Sequence, residues 1–164
     1  MILIDTREPK EFREIILERR PSSIVTTLRD GDDFVVSDGA HTIGFQRKTI
    51  SDCLGCLASG ALDDQLLRLC GNYIHTVLLL EGNYIVNDDN KICTVKVTIG
   101  AKGKPITKLF QTGWHAHAFW AKLLSLGEKN GVTIIPTPSL AATADFLIYL
   151  DERGGTKGLE HLLM

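Results

Sequence analysis

Proline is scarce in this 164-residue chain, with five in all, and cysteine (four), methionine (two) and tryptophan (two) are scarcer. With 44% hydrophobic and 23% charged residues, so few prolines exclude a disordered tail, a collagen-like repeat and a low-complexity segment. Four cysteines, Cys53, Cys56, Cys70 and Cys93, are too sparse for a disulfide scaffold of this length and fit a reducing compartment. Long apolar runs are absent: stretches such as Val77 to Leu80 fall far short of a bilayer span. The opening Met1-Ile2-Leu3-Ile4-Asp5 lacks the basic head and apolar core of a signal peptide. The chain is therefore expected to be soluble and intracellular with no membrane partner, cytoplasmic in a prokaryotic or viral setting and nuclear in a eukaryotic one. An excess of one charge is missing too. Eighteen Lys+Arg against twenty Asp+Glu give a net charge of -2, so any affinity for a polyanion must come from local patches.

What is present is an alternation of pattern types over one domain, residues 1–164. Ile2-Leu3-Ile4 reads as a short buried strand ending in Asp5, followed by Pro9 at the first turn of a helix that runs to about Arg19 and stops before Pro21. Ile24 to Leu28 is a second strand. Phe34-Val35-Val36 pairs with Thr42 to Arg47 as a hairpin. Thr49 to Leu57 and Leu62 to Leu69 have the three-and-four spacing of helices, with Ser59-Gly60 between them. Thr76 to Leu80 reads as a central strand covered on both faces. A helix from about Trp114 to Lys129, a strand at Val132 to Ile135 and a helix from Leu140 to Glu152 complete a layered α/β unit. Residues 83–111 stand apart. They carry Lys91, Lys96, Lys102, Lys104 and Lys108 with no acid after Asp89, and a period-two run at Ile92 to Ile99 predicts an inserted strand or hairpin arm.

Polar residues gather at the ends of consecutive strands: Asp5-Thr6-Arg7-Glu8, Gly31-Asp32, Gln46-Arg47-Lys48, then Asp52. Strand ends in an α/β sheet are where sites collect. An acid on one hairpin strand, facing an oxygen-bearing side chain two residues before a lysine on the other, brings together two oxygen ligands and an ammonium. That set suits Mg²⁺-assisted phosphodiester hydrolysis, with hard oxygens for the cation and a lysine to orient water or stabilise developing charge.

The order of these motifs resembles the nuclease domain of the XPF family of structure-specific endonucleases, whose signature is Gly-Asp, a hairpin, Glu-Arg-Lys, three residues and Asp. Ile4 to Glu8, Ile50 to Gly55 with Ser59 to Leu62, and Val77 to Glu81 add further similarity over about residues 1 to 82. The resemblance implies a mixed central sheet flanked by helices, of the restriction-endonuclease-like kind. It implies a Mg²⁺ cofactor, for which Mn²⁺ can substitute, and branched DNA as partner: flaps, forks or four-way junctions. By the same analogy Asp32, Gln46 and the backbone carbonyl of Arg47 hold the metal, Lys48 is the catalytic lysine, Asp5 and Glu8 are acids of the site, and Arg7 and Asp52 support it. Relatives pair through their nuclease domains, which implies a homodimer or heterodimer through the C-terminal helices, with Trp114, Phe119 and Trp120 offering apolar surface. The helix-hairpin-helix module of many relatives is not expected here. A symmetric dimer would suit four-way junctions, making a Holliday junction resolvase one specific reading.

Three departures stand out. Asp33 follows Gly-Asp where the family usually has tyrosine, Ala61 replaces an arginine, and Gln46 occupies the place of the family's glutamate. An amide of the same shape offers one neutral oxygen in place of a negative charge, so metal affinity and water activation should fall. An isosteric change inside an otherwise intact motif fits an engineered substrate trap, a natural variant with weakened cleavage, or a non-catalytic DNA-binding or scaffold subunit. Plainer readings also apply. Ser51 and Asp52 suit a helix cap. Cys53-x-x-Cys56 lacks a second ligand pair at finger spacing and reads as core, and His115 and His117, two apart, fall on different helix faces. Lys91, Lys96, Lys102, Lys104 and Lys108 are expected along a DNA backbone.

Overall fold

A computed structural model describes all residues but 30, 31, 38, 40, 100–103 and 164, with backbone alone for 96–99 and 162–163. Its centre is a six-stranded mixed sheet in the order β2-β1-β3-β4-β5-β9. The strands are β1 (Ile2–Asp5), β2 (Ile24–Thr26), β3 (Phe34–Ser37), β4 (Thr42–Thr49), β5 (His75–Glu81) and β9 (Thr133–Thr137). β1 pairs parallel with β2 and antiparallel with β3, β3 and β4 form the antiparallel hairpin, and β4, β5 and β9 run parallel. Parallel neighbours require crossovers. Helices α2 (Ile50–Ser59) and α3 (Ala61–Asn72) make the one between β4 and β5.

Alternation along the strands sends side chains into two apolar layers. Ile2, Ile4, Phe34, Val36, Phe45, Val77 and Leu79 pack with α1 (Lys10–Arg19) and α5 (Leu140–Glu152). Leu78 and Leu80 pack on the opposite face with α2, α3 and α4 (Ala116–Asn130). The all-apolar centre of β5 is explained by burial on both sides. α2 buries Ile50, Cys53, Leu54 and Leu57, a stripe at helical spacing. Gly60, at φ 79°, lets α2 end and α3 begin without a linker.

The lysine-rich segment forms a separate three-stranded sheet, β6 (Ile85–Val86), β7 (Lys91–Ile99) and β8 (Pro105–His115). β8 outruns the sequence expectation, which began a helix at Trp114; strand pairing of His115 with Lys91 holds the chain extended until Ala116. α6 (Thr156–Leu163), after the positive-φ pair Gly154-Gly155, was not expected. Phe119 is fully buried and Trp120 donates through its indole N–H to the Tyr84 hydroxyl at 2.6 Å. Phe119 fills the core instead of offering the docking surface expected of it, whereas Trp114 and Trp120 are half-buried against the same cluster. Among the described residues no helix is long and apolar enough to cross a membrane.

Candidate active site

Asp5 ends β1 fully buried, and its carboxylate is saturated. Oδ1 accepts from the Arg7 N–H and Nε at 2.7 Å each, and Oδ2 from Arg7 Nη2 at 3.1 Å and the Leu28 N–H at 2.7 Å. Burial alone would push this carboxyl up, but those hydrogen bonds and the Arg7 charge hold it below the usual carboxylate range. With its lone pairs taken, Asp5 joins β1 to the loop after β2; with Arg7 it is a brace.

The hairpin register decides which acid meets the motif on β4. Phe34 sits opposite Phe45, so the pair one step out is Asp33 and Gln46, on one face. Gln46 Nε2 donates to Asp33 Oδ2, and the same oxygen accepts the Arg47 N–H at 2.6 Å. Asp32, the acid singled out from the sequence, turns elsewhere and accepts from the Tyr73 hydroxyl at 2.8 Å. The sequence reading is thus one residue out of register. The acid that faces Gln46 is Asp33, and Asp32 faces Tyr73. Tyr73 reaches Asp32 because Gly44 leaves room: a Cβ on Gly44 would overlap the tyrosine ring. Burial raises the carboxyls of both Asp32 and Asp33 above the ordinary value; hydrogen bonds and, at Asp33, the nearby Arg47 and Lys48 charges oppose it.

Two residues on from Gln46, half-buried Lys48 shares its face, near enough for its charge to act on the Asp33 carboxyl. Among the described residues its ammonium has no hydrogen bond or ion pair. Arg47 points through the sheet to the other layer. There it bonds Glu8 Oε2 and Glu81 Oε1, each at 2.8 Å, and its guanidinium lies 5.7 Å from the Phe12 ring centroid. Thr143 donates to the other Glu81 oxygen at 2.9 Å. Burial lifts the Glu8 carboxyl to about 7, with the Asp33 and Glu81 charges adding and the Arg47 charge opposing. Thr49 caps α2 and Asp52 lies in its first turn: the Thr49 hydroxyl accepts the Asp52 N–H at 3.2 Å and donates to Asp52 Oδ2 at 2.8 Å.

The structure therefore brings together Asp33, Gln46 and Lys48, with Glu8 held through Arg47, and leaves Asp5, Arg7 and Asp52 as ties around them. Lys91, Lys104 and Lys108 lie on the small sheet or at its edge, the Lys96 side chain is not described, and Lys102 lies outside the described residues. Glu81 and Tyr73 escaped the sequence reading. Glu81 was visible as the acid closing the central strand, whereas Tyr73 had no local signal.

The ERCC4 domain profile matches residues 4–150. The chain belongs to the ERCC4 domain family. Among solved structures, this ERCC4 domain is similar to XPF from Aeropyrum pernix, with a TM-score of 0.68 and 23% identity over 98% of this chain and 67% of that one. A structure of XPF from Aeropyrum pernix in complex with DNA matches with a TM-score of 0.63 and 22% identity, over 92% of this chain and 62% of that one. At these identities the likeness establishes the fold, which is that of the XPF nuclease. The chain spans about two thirds of the length of those XPF chains. No curated protein matches the sequence significantly.

Proposed function

We propose that this ERCC4 domain is a divalent-metal-dependent DNA endonuclease acting on branched DNA, with cleavage weakened by Gln46. The observation that carries the reading is the meeting of Asp33, Gln46 and Lys48 on one face of the hairpin. Gln46 Oε1 is buried with no hydrogen-bond partner among the described residues, an oxygen left for a ligand. The Arg47 N–H leaves the sheet ladder for Asp33, and its carbonyl points to the same edge of β4, since both groups of a strand residue face one side. Asp33, Gln46 Oε1 and the Arg47 carbonyl make an all-oxygen donor set that fits Mg²⁺ or Mn²⁺, but with a single negative charge. A cation bound there would polarise the phosphoryl oxygen and acidify a water.

The chain's own groups do the rest. Asp33 anchors the site, and its Oδ2 is held in place by Gln46 and the Arg47 N–H. Lys48 is left to orient water or to meet the charge gathering on the phosphate. Arg47, fixed between Glu8 and Glu81, keeps β4 aligned so that its neighbours face outward. Lys91, Lys104 and Lys108 meet DNA phosphates. Pairing with a second copy or a relative through the C-terminal helices is part of this proposal; α4 offers Leu124, 63% exposed.

A second reading is a DNA-binding subunit that does not cut. It is favoured by the hydrogen bond from Gln46 to Asp33, which satisfies the carboxylate without a cation, and by the lack, among the described residues, of any group of three His, Cys, Asp or Glu able to hold a metal. The deciding experiment compares the chain and its Gln46→Glu form on flaps, forks, four-way junctions and linear duplex with Mg²⁺. Faster cleavage of branched substrates by Gln46→Glu supports the nuclease reading. Binding without cleavage by both forms supports the second.

A further inference from the structure

All twenty acids of the chain lie outside residues 90–127, a span that contains Lys91, Lys96, Lys102, Lys104, Lys108 and Lys122. Most of that span is the ribbon of β7 and β8. Strand alternation turns Ile106, Lys108 and Phe110 to one face of β8, with Lys104 next in the same sequence, and Phe110 sits opposite Thr94 of β7. Phe110 is 42% exposed and Ile106 45%. The ribbon face is thus basic and apolar by turns.

Duplex DNA offers such a face only its phosphates, because its bases are hidden in the stack. An unpaired strand offers phosphates and open base faces together, and lysines interleaved with an aromatic ring match both. A second copy of the ribbon is a poor occupant. It would bring lysine against lysine, the device that keeps strand edges apart.

We propose that this face, centred on Phe110, holds the unpaired strand of branched DNA and thereby supplies the preference for branched over linear substrate. The inference rests on the nuclease reading above and adds the feature of the substrate that is recognised. Lysines give strength; the ring gives selectivity.

The test measures binding of the full chain in EDTA, by fluorescence anisotropy, to an oligothymidylate, a forked duplex and a blunt duplex. The variants are Phe110→Ala, Phe110→Tyr and the double change Lys104→Ala with Lys108→Ala, with thermal unfolding to confirm the fold. Phe110→Ala should weaken oligothymidylate and fork on the order of tenfold, leave blunt duplex within about twofold and leave the salt dependence unchanged. Phe110→Tyr should restore binding, and the lysine pair should weaken all three probes and flatten the salt slope. Equal effects of Phe110→Ala on all three probes, or none on any, overturn the proposal. Should the unaltered chain bind none of them, the nuclease reading falls as well; if it binds them while Phe110→Ala is silent, only the ribbon's role falls.

Discussion

Replacing Gln46 by Glu should make the stability of the fold depend on a divalent cation. In the protein as it stands, the Gln46 amide donates to Asp33, so that half-buried carboxylate is satisfied without a metal. Glutamate removes that charge-assisted hydrogen bond, worth about 1.5 to 3 kcal/mol, and sets two carboxylates side by side. Their repulsion is about 4 kcal/mol at an effective dielectric near 20 and a spacing near 4 Å. One of them can take up a proton, which caps the repulsion, so the net loss in EDTA should be about 2 to 5 kcal/mol. For a domain of this size that lowers Tm by roughly 5 to 15 °C. Mg²⁺ at about a hundred times its Kd returns about 2.7 kcal/mol. Thermal unfolding by circular dichroism, with EDTA and then with Mg²⁺, reads both numbers. The unaltered protein should shift little between the two conditions, and Gln46→Glu strongly. Equal melting of the two forms in EDTA, or equal stabilisation of both by Mg²⁺, would refute the pairing of Asp33 with position 46.

Asp33→Asn should abolish whatever cleavage the Gln46→Glu form shows, whereas Asp32→Asn should retain most of it and lose about 1 to 2 kcal/mol of stability with the Tyr73 hydrogen bond, as measured by urea unfolding. Gly44→Ala should cost about 3 kcal/mol or more by driving Tyr73 off β4; wild-type stability in urea would show that the ring repacks freely. Glu8 gives a pH dependence. Its folded pKa, about 7, lies above the ordinary 4.5, so its contribution is full below 4.5 and is lost as pH rises through 7. Relative to Glu8→Gln, the unaltered protein should lose about 2 kcal/mol between pH 5.5 and 8.5 in paired urea titrations, and parallel curves would remove the assigned burial cost.

Sequence pattern conveyed much of the architecture because this fold keeps its elements short and strongly typed. β5 reads as a doubly covered strand from its apolar run alone, and α2 from Ile50, Cys53, Leu54 and Leu57. The site was legible as a set of residue types at strand ends and less so in its pairing. Which of two adjacent acids faces Gln46 depends on the hairpin register, and that register is fixed by Phe34 meeting Phe45 in the core, a contact between distant residues. The Tyr73 tie and the Glu81 bond to Arg47 are likewise tertiary. The apolar surface expected of Phe119 was misjudged because amphipathic spacing tells that a face is buried, not what buries it.

β4 shows Phe45 and Arg47 to one layer and Gln46 and Lys48 to the other. Chemistry and solidity are consequently inherited as a unit along these few positions. Gain or loss of one residue between Phe45 and Thr49 would send the guanidinium to the Gln46 face and the lysine into the aliphatic interior, ending folding along with the site's geometry. An exchange of one side chain for another at constant chain length leaves this alternation of faces intact.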